Sequence, residues 1–96
     1  METNQAVTAL AALAQASRLD VFRLLVQAGE GGMAAGKISA ATGIAPSSLS
    51  FHSKELSHAG LLKQRQEGRF VIYTANFATA AALVAFLSEH CCSGQS

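Results

Sequence analysis

The sequence predicts a mainly α-helical domain with one β-hairpin, arranged as a winged helix-turn-helix. Three observations predict it. Residues 38–73, ISAATGIAPSSLSFHSKELSHAGLLKQRQEGRFVIY, set helix punctuation in a fixed order: Gly43 stops one helix, Pro46 opens another and Gly60 stops that one. Strand-like alternation follows over 61–65 and 69–74, around a Gln66-Glu67-Gly68 turn. Apolar stretches of helical period lie before and after this block. The expected order is four helices, two strands and a last helix. All 96 residues form one domain, with the helix-turn-helix at 37–59, the wing at 61–75, outer helices at 4–15 and 77–90, and a tail at 90–96.

Each element has its own warrant. Thr3 or Asn4 is the expected cap of a first helix over 5–15, alanine-rich, with Val7, Leu10 and Leu13 as its larger apolar residues. Such a helix permits close approach of its neighbours. Ser17-Arg18-Leu19-Asp20 reads as a capping-box variant opening a second helix through about Ala28. Leu19, Phe22, Leu25 and Val26 are its expected buried stripe. Gly29, Gly31 and Gly32 break the chain into a linker. It lacks the lysine-serine signature and preceding strand of a phosphate-binding loop.

Ile38 and Ala41 share a face of the third helix, and Ile44 plugs the turn after it. Pro46 suits the first turn of the fourth helix, where a missing N–H is harmless. Ala45 is a poor N-cap, which leaves Ser47 and Ser48 to help locally. Leu49, Ser53 and Leu56 fall on the core side. Ser47, Ser48, Ser50, Phe51, Lys54 and Ser57 fall on the other, with His52 at the boundary, where it can touch phosphate or complete the packing. Small hydroxyl residues near a helix N-terminus can approach base edges and phosphates closely, and Lys54 can add a phosphate contact. The order of elements favours a DNA-reading helix over an ordinary amphipathic one with a solvated serine face. Arg65 and Arg69 flank the expected hairpin tip, where an arginine can enter a minor groove or clamp phosphate. The segment 77–90, FATAAALVAFLSEH, is apolar around most of its circumference, so it belongs in an interface. It is expected to pair with the first helix across a two-fold axis.

Composition agrees. Half the residues are apolar and 14% are charged, too apolar a mixture for a small monomer, and homodimerisation is the simplest outlet. The net charge is only +1, but Lys54, Lys63, Arg65 and Arg69 all lie in or beside the proposed DNA face. No apolar run reaches membrane-spanning length and no secretory pattern opens the chain. Two cysteines without an export signal fit a reducing cytoplasm.

ALAQASRLDVFRLLVQAG at 12–29 and SSLSFHSKELSHAGLLKQRQEGRFVIY at 47–73 together resemble the ArsR/SmtB family of metalloregulatory repressors, over nearly the whole chain. The tail ALVAFLSEHCCSG is similar to an arsenical-responsive subgroup with sensing cysteines at the C-terminal end of the last helix. The resemblance implies a homodimeric cytoplasmic repressor that binds an imperfect operator palindrome in double-stranded DNA and leaves it when effector binds. It requires no cofactor.

The departures narrow the effector. The founding arsenic and cadmium sensors of the family carry Cys-x-Cys before the helix-turn-helix, where this chain has Ala34 and Gly36. The zinc sensors use an acid and histidines along the last helix, a set that the stretch from Asn76-Phe77-Ala78 does not supply. Cys91 and Cys92 remain. Thiolates are the soft ligands that trivalent arsenic and antimony prefer. Arsenite favours three sulfurs and a monosubstituted trivalent arsenical needs two. The subgroup typically adds a third cysteine beyond the pair; this sequence stops at Ser96. Consecutive helix residues do not face each other, so a metalloid gripping both sulfurs is expected to distort or unwind the final turn of the last helix. Three rivals stand beside this reading. They are a redox or sulfide sensor on the same thiols, a DNA-independent interaction module, and a small thiol-dependent reductase. The reductase ranks last because no general base or phosphate-binding loop surrounds the cysteines.

Overall fold

The computed structural model describes residues 1–91. The elements in order are α1 (Thr3–Leu13), α2 (Ala16–Ala28), β1 (Met33–Ala34), α3 (Ala35–Thr42), α4 (Pro46–His58), β2 (Leu62–Glu67), β3 (Phe70–Ala75) and α5 (Phe77–Ser88). This is a winged helix-turn-helix with one strand more than expected. Val21, Leu25, Ile38, Leu56 and Leu61 are its fully buried centre, so α2, α3, α4 and the base of the wing share one core.

α1 begins earlier than expected because Glu2, rather than Thr3 or Asn4, caps it; the Glu2 N–H donates to Gln5 Oε1 at 2.8 Å. The helix ends at Leu13, where Arg18 Nε donates to the Ala12 carbonyl at 2.7 Å. Ala6, Ala9 and Ala12 face inward, while Val7 and Leu10 face out. Alanine on the inner face lets α1 lie close against α2, α4 and α5. α2 is capped by Gln15, whose Oε1 accepts the Arg18 N–H at 2.8 Å, so Ser17 lies inside the helix and is not its cap. Its buried residues are Val21, Phe22 and Leu25. Leu19 and Val26 are exposed, because α3, α4 and β3 all approach from the Val21 side.

The sheet is antiparallel in the order β1-β3-β2. β1 pairs Met33 with Tyr73 and Ala34 with Ile72. Its two residues carry no periodic signal, and the pairing is tertiary. Gly32 brings the chain to β3 with φ +71°. The wing is also longer than expected: Gln66 pairs with Val71 and Glu67 with Phe70, leaving a two-residue loop, Gly68-Arg69. Gly68, at the first loop position with φ +62°, gives the turn that matches the right-handed strand twist.

α4 ends in a Schellman motif: the Leu61 N–H reaches the Leu56 carbonyl at 3.0 Å, the Gly60 N–H reaches Ser57 at 3.0 Å, and Gly60 has φ +78°. The Leu61 carbonyl accepts the Asn76 N–H at 2.8 Å, so one residue joins the end of α4, the base of the wing and the start of α5. Ser53 is 1% exposed in this core and its hydroxyl meets no hydrogen-bonding group of the protein. Ser53→Ala is therefore expected to stabilise the fold by about 1 kcal/mol, read as a raised urea midpoint with unchanged slope. A lowered midpoint would show that the hydroxyl is satisfied.

α5 ends at Ser88 and not at His90. Glu89 (φ −55°, ψ 130°) and His90 (φ 60°) turn the chain, and the Cys91 N–H closes the turn on the Ser88 carbonyl at 2.8 Å. These angles are those of a type II turn with histidine, a tolerated non-glycine residue, at its left-handed position. The expectation that the final helical turn runs to the cysteines is thus corrected. Among the described residues no helix is long and apolar enough to cross a membrane.

Candidate nucleic-acid interface

The turn before α4 is fixed by local hydrogen bonds. Thr42 Oγ1 donates to the Ile38 carbonyl at 2.7 Å and accepts the Ile44 N–H at 3.2 Å. Gly43, at φ +76°, donates its N–H to Ser39. Ile44 closes the turn against the core, as expected of a plug. Pro46 opens α4 and Ala45 supplies no side-chain cap, so the first-turn N–H groups of Ser47 and Ser48 are not consumed by capping. Such donors at a positive helix end favour an anion.

Leu49, Ser53 and Leu56 anchor α4 to the core. The opposite stripe is Ser47, Phe51 and Lys54, spaced i, i+4, i+7, with Ser48 and Ser50 on its flanks. All five are exposed. His52 lies at the edge of the stripe, half-buried, its ring edge-on to Phe51 with centroids 5.7 Å apart. Six of the predicted DNA-facing residues therefore lie together on one helix. Two features escaped the sequence reading. Glu55 is exposed one turn past Phe51, and its carboxylate repels phosphate, so it opposes contact beyond Lys54 on this face of α4. Phe70 is 59% exposed beside the wing tip; the two-residue loop puts it there, and a three-residue turn would not have.

The two arginines part company. Arg69 sits in the wing loop itself. Arg65 folds back, its Nη2 donating to the Gly31 carbonyl at 2.9 Å and its Nε to Glu67 Oε2 at 2.6 Å. It ties the α2–β1 loop to the wing, so only Arg69 stands at the tip as expected. Cys91 is exposed in the turn after α5, and His90 Nε2 lies 3.4 Å from Glu89 Oε1. Cys92 lies outside the described residues. Among the described residues no three His, Cys, Asp or Glu side chains gather as a metal site.

An exposed helix held by a tight turn, beside a hairpin with arginine at its tip, defines a winged helix-turn-helix DNA-binding regulator. The model of the helix-turn-helix domain family matches residues 13–65, more than half of the chain. Similar solved structures include HlyU from Vibrio cholerae N16961, 30% identical with TM-score 0.75, covering 96% of this chain and 99% of that one. HlyU in its reduced form also matches, at 27% identity and TM-score 0.72, over 94% and 92% of the two chains. The homodimeric winged helix-turn-helix DNA-binding domain of Mb0332 from Mycobacterium bovis, a possible ArsR-family transcriptional regulator, is 30% identical with TM-score 0.71 over 97% and 87%. A possible transcriptional regulator for arsenical resistance is 28% identical with TM-score 0.71, over 82% and 79%. No curated protein gives a significant match. The chain belongs to the ArsR/SmtB family of winged-helix transcriptional regulators.

Proposed function

We propose that the chain is a homodimeric repressor that holds a palindromic operator and releases it when a trivalent arsenic or antimony species bridges Cys91 and Cys92. The observation that carries the DNA half is the outward stripe of Ser47, Phe51 and Lys54 beside Arg69 at the wing tip. Support for the dimer comes from the exposed apolar residues of α1 and α5 and from the homodimeric state of the Mb0332 domain. Support for the effector comes from thiol chemistry and from the similarity to a regulator linked to arsenical resistance.

The turn after α5 changes how such a switch works. Cys91 already lies past the helix, held by its N–H on Ser88, so capturing a metalloid need not unwind α5. It need only reshape the Ser88–Cys91 turn and shift the adjoining end of α5. Two thiols satisfy a monosubstituted trivalent arsenical, and arsenite would take water or a third thiol. A coupling of ~1–3 kcal/mol between tail and operator is enough for a useful response.

Fluorescence anisotropy on the DNA upstream of the chain's own gene tests this. Arsenite, antimonite and a monosubstituted trivalent arsenical are added to the complex, with Cys91→Ser/Cys92→Ser as control. The expected outcome is release by a trivalent species, ~5–150-fold in apparent affinity, absent in the control. Binding untouched by all three would remove the metalloid. A second reading, a redox switch, is favoured by the similarity to HlyU in a form specified as reduced. Release by peroxide but not by arsenicals would establish it. Adjacent cysteines close a strained ring, so that disulfide would join two subunits.

A further inference from the structure

Phe51 is 56% exposed at the centre of the outward stripe of α4, between hydroxyl and lysine side chains. A phenylalanine there is unusual chemistry for a surface meant to meet polar base edges. Its ring can neither donate to nor accept from the hydrogen-bonding pattern of the major groove. Thymine's 5-methyl is the one apolar group that a base pair presents in that groove. Ser47 and Ser50 are short, so they do not hold the helix away from the base edges, and the phenyl ring projects beyond them. The edge-on contact with His52, whose own ring is half-buried, restricts where the Phe51 ring can go.

We infer that Phe51 is a specificity-determining residue that reads a thymine methyl in each operator half-site. This rests on the DNA-reading role of α4 proposed above. The neighbouring residues divide the work. Lys54 and the N–H groups of Ser47 and Ser48 hold phosphate and carry no sequence information, and Phe51 selects thymine against cytosine by burying its methyl. The half-site therefore contains a thymine facing the middle of α4.

The same promoter duplex, made once with thymine and once with uracil throughout, differs only in its thymine 5-methyl groups, and Phe51→Ala separates the methyl that Phe51 reads from the rest. The protein as it exists is titrated against both by anisotropy at one salt concentration. Burying one methyl is worth roughly fourfold in affinity, so two half-sites give ~15-fold weaker binding of the uracil duplex. Phe51→Ala is expected to bind the thymine duplex about as weakly as the wild type binds uracil, and to bind both duplexes alike. Phe51→Leu, still apolar, should keep much of the preference. Wild-type protein that binds both duplexes equally and tightly would overturn the role of Phe51 while leaving the DNA-reading role intact. Wild-type protein that binds neither duplex at low salt would overturn both. A thymine preference that survives Phe51→Ala would assign the methyl to another residue. Because Phe51 is exposed, its variants should keep the wild-type circular dichroism, and a changed spectrum alongside a lost preference would mark a folding effect and overturn the assignment.

Discussion

Gly32→Ala is expected to cost this domain roughly 2–4 kcal/mol, combining a left-handed backbone that alanine resists with a side chain that has no room. Gly32 has φ +71°. A Cβ there would press on the Tyr73 carbonyl oxygen, within contact distance, and would lie 2.8 Å from Thr74 Oγ1 and 3.1 Å from Ile72 Cγ2. The first is backbone of the central strand of the sheet and cannot swing away. Gly31→Ala is the matched control, since a Cβ at Gly31 meets nothing within 4 Å. It should change stability by less than ~0.5 kcal/mol. Thermal melts at one protein concentration would separate the two by roughly 8–32 °C, at about 4–8 °C per kcal/mol for a domain of this size. Equal melting temperatures would mean that the approach of β1 to β3 is not fixed as described. The effect should reach function as well, because β1 and the Arg65–Gly31 bond tie the wing to the body of the domain.

That position also shows what the sequence made legible. The glycines and proline around α4 act through local backbone geometry, so Gly43, Pro46 and Gly60 were readable without knowing what surrounds them. Gly32 acts through β3, some forty residues along the chain, and looked like linker. The same divide runs through the rest. α4, with Leu49, Ser53 and Leu56 inward and Ser47, Phe51 and Lys54 outward, follows from a 3.6-residue period alone. β1 is two residues whose strand character exists only because Tyr73 and Ile72 lie opposite. Arg65 and Arg69 looked equivalent as sequence; the register that puts Gly68-Arg69 in the loop, and the Gly31 carbonyl within reach of Arg65, separate them. In α1 the eye goes to Val7, Leu10 and Leu13. Yet Ala6 and Ala9 are the buried residues, because the space against α2 and α4 admits only small side chains. At the other end, nothing in LSEHCC signals a helix stop, since the chain turns at Glu89 and His90 without glycine.

The inward alanines of α1 bear on assembly, and the largest functional effect is expected there. On α5, Leu83 is 6% exposed, whereas Val84 and Leu87 are 66% and 60% exposed; on α1, Val7 and Leu10 are 57% and 40% exposed. Both outer helices thus spend their small or central residues on their own core and turn large aliphatic ones outward. A monomer gains nothing from that arrangement, and in the proposed dimer these side chains are the natural contact. Leu87→Glu places a carboxylate where a partner must desolvate it. The variant is expected to sediment as a monomer at micromolar concentration, with its circular dichroism unchanged because Leu87 supports nothing in its own protomer. Each monomer then holds one half-site without the other, and losing that bivalency should weaken operator binding by ~10²–10⁴-fold. Ser88→Glu, one residue on and also exposed, serves as a charge control; its hydroxyl donates to the Val84 carbonyl of its own helix. If Leu87→Glu remains dimeric and binds the operator like wild type, α5 is not the interface, and the outward aliphatic face of α1 becomes the surface to vary next. If it is monomeric yet binds with undiminished affinity, dimer formation is not what sets operator affinity, and the proposed release by ligation at Cys91 cannot act through this interface.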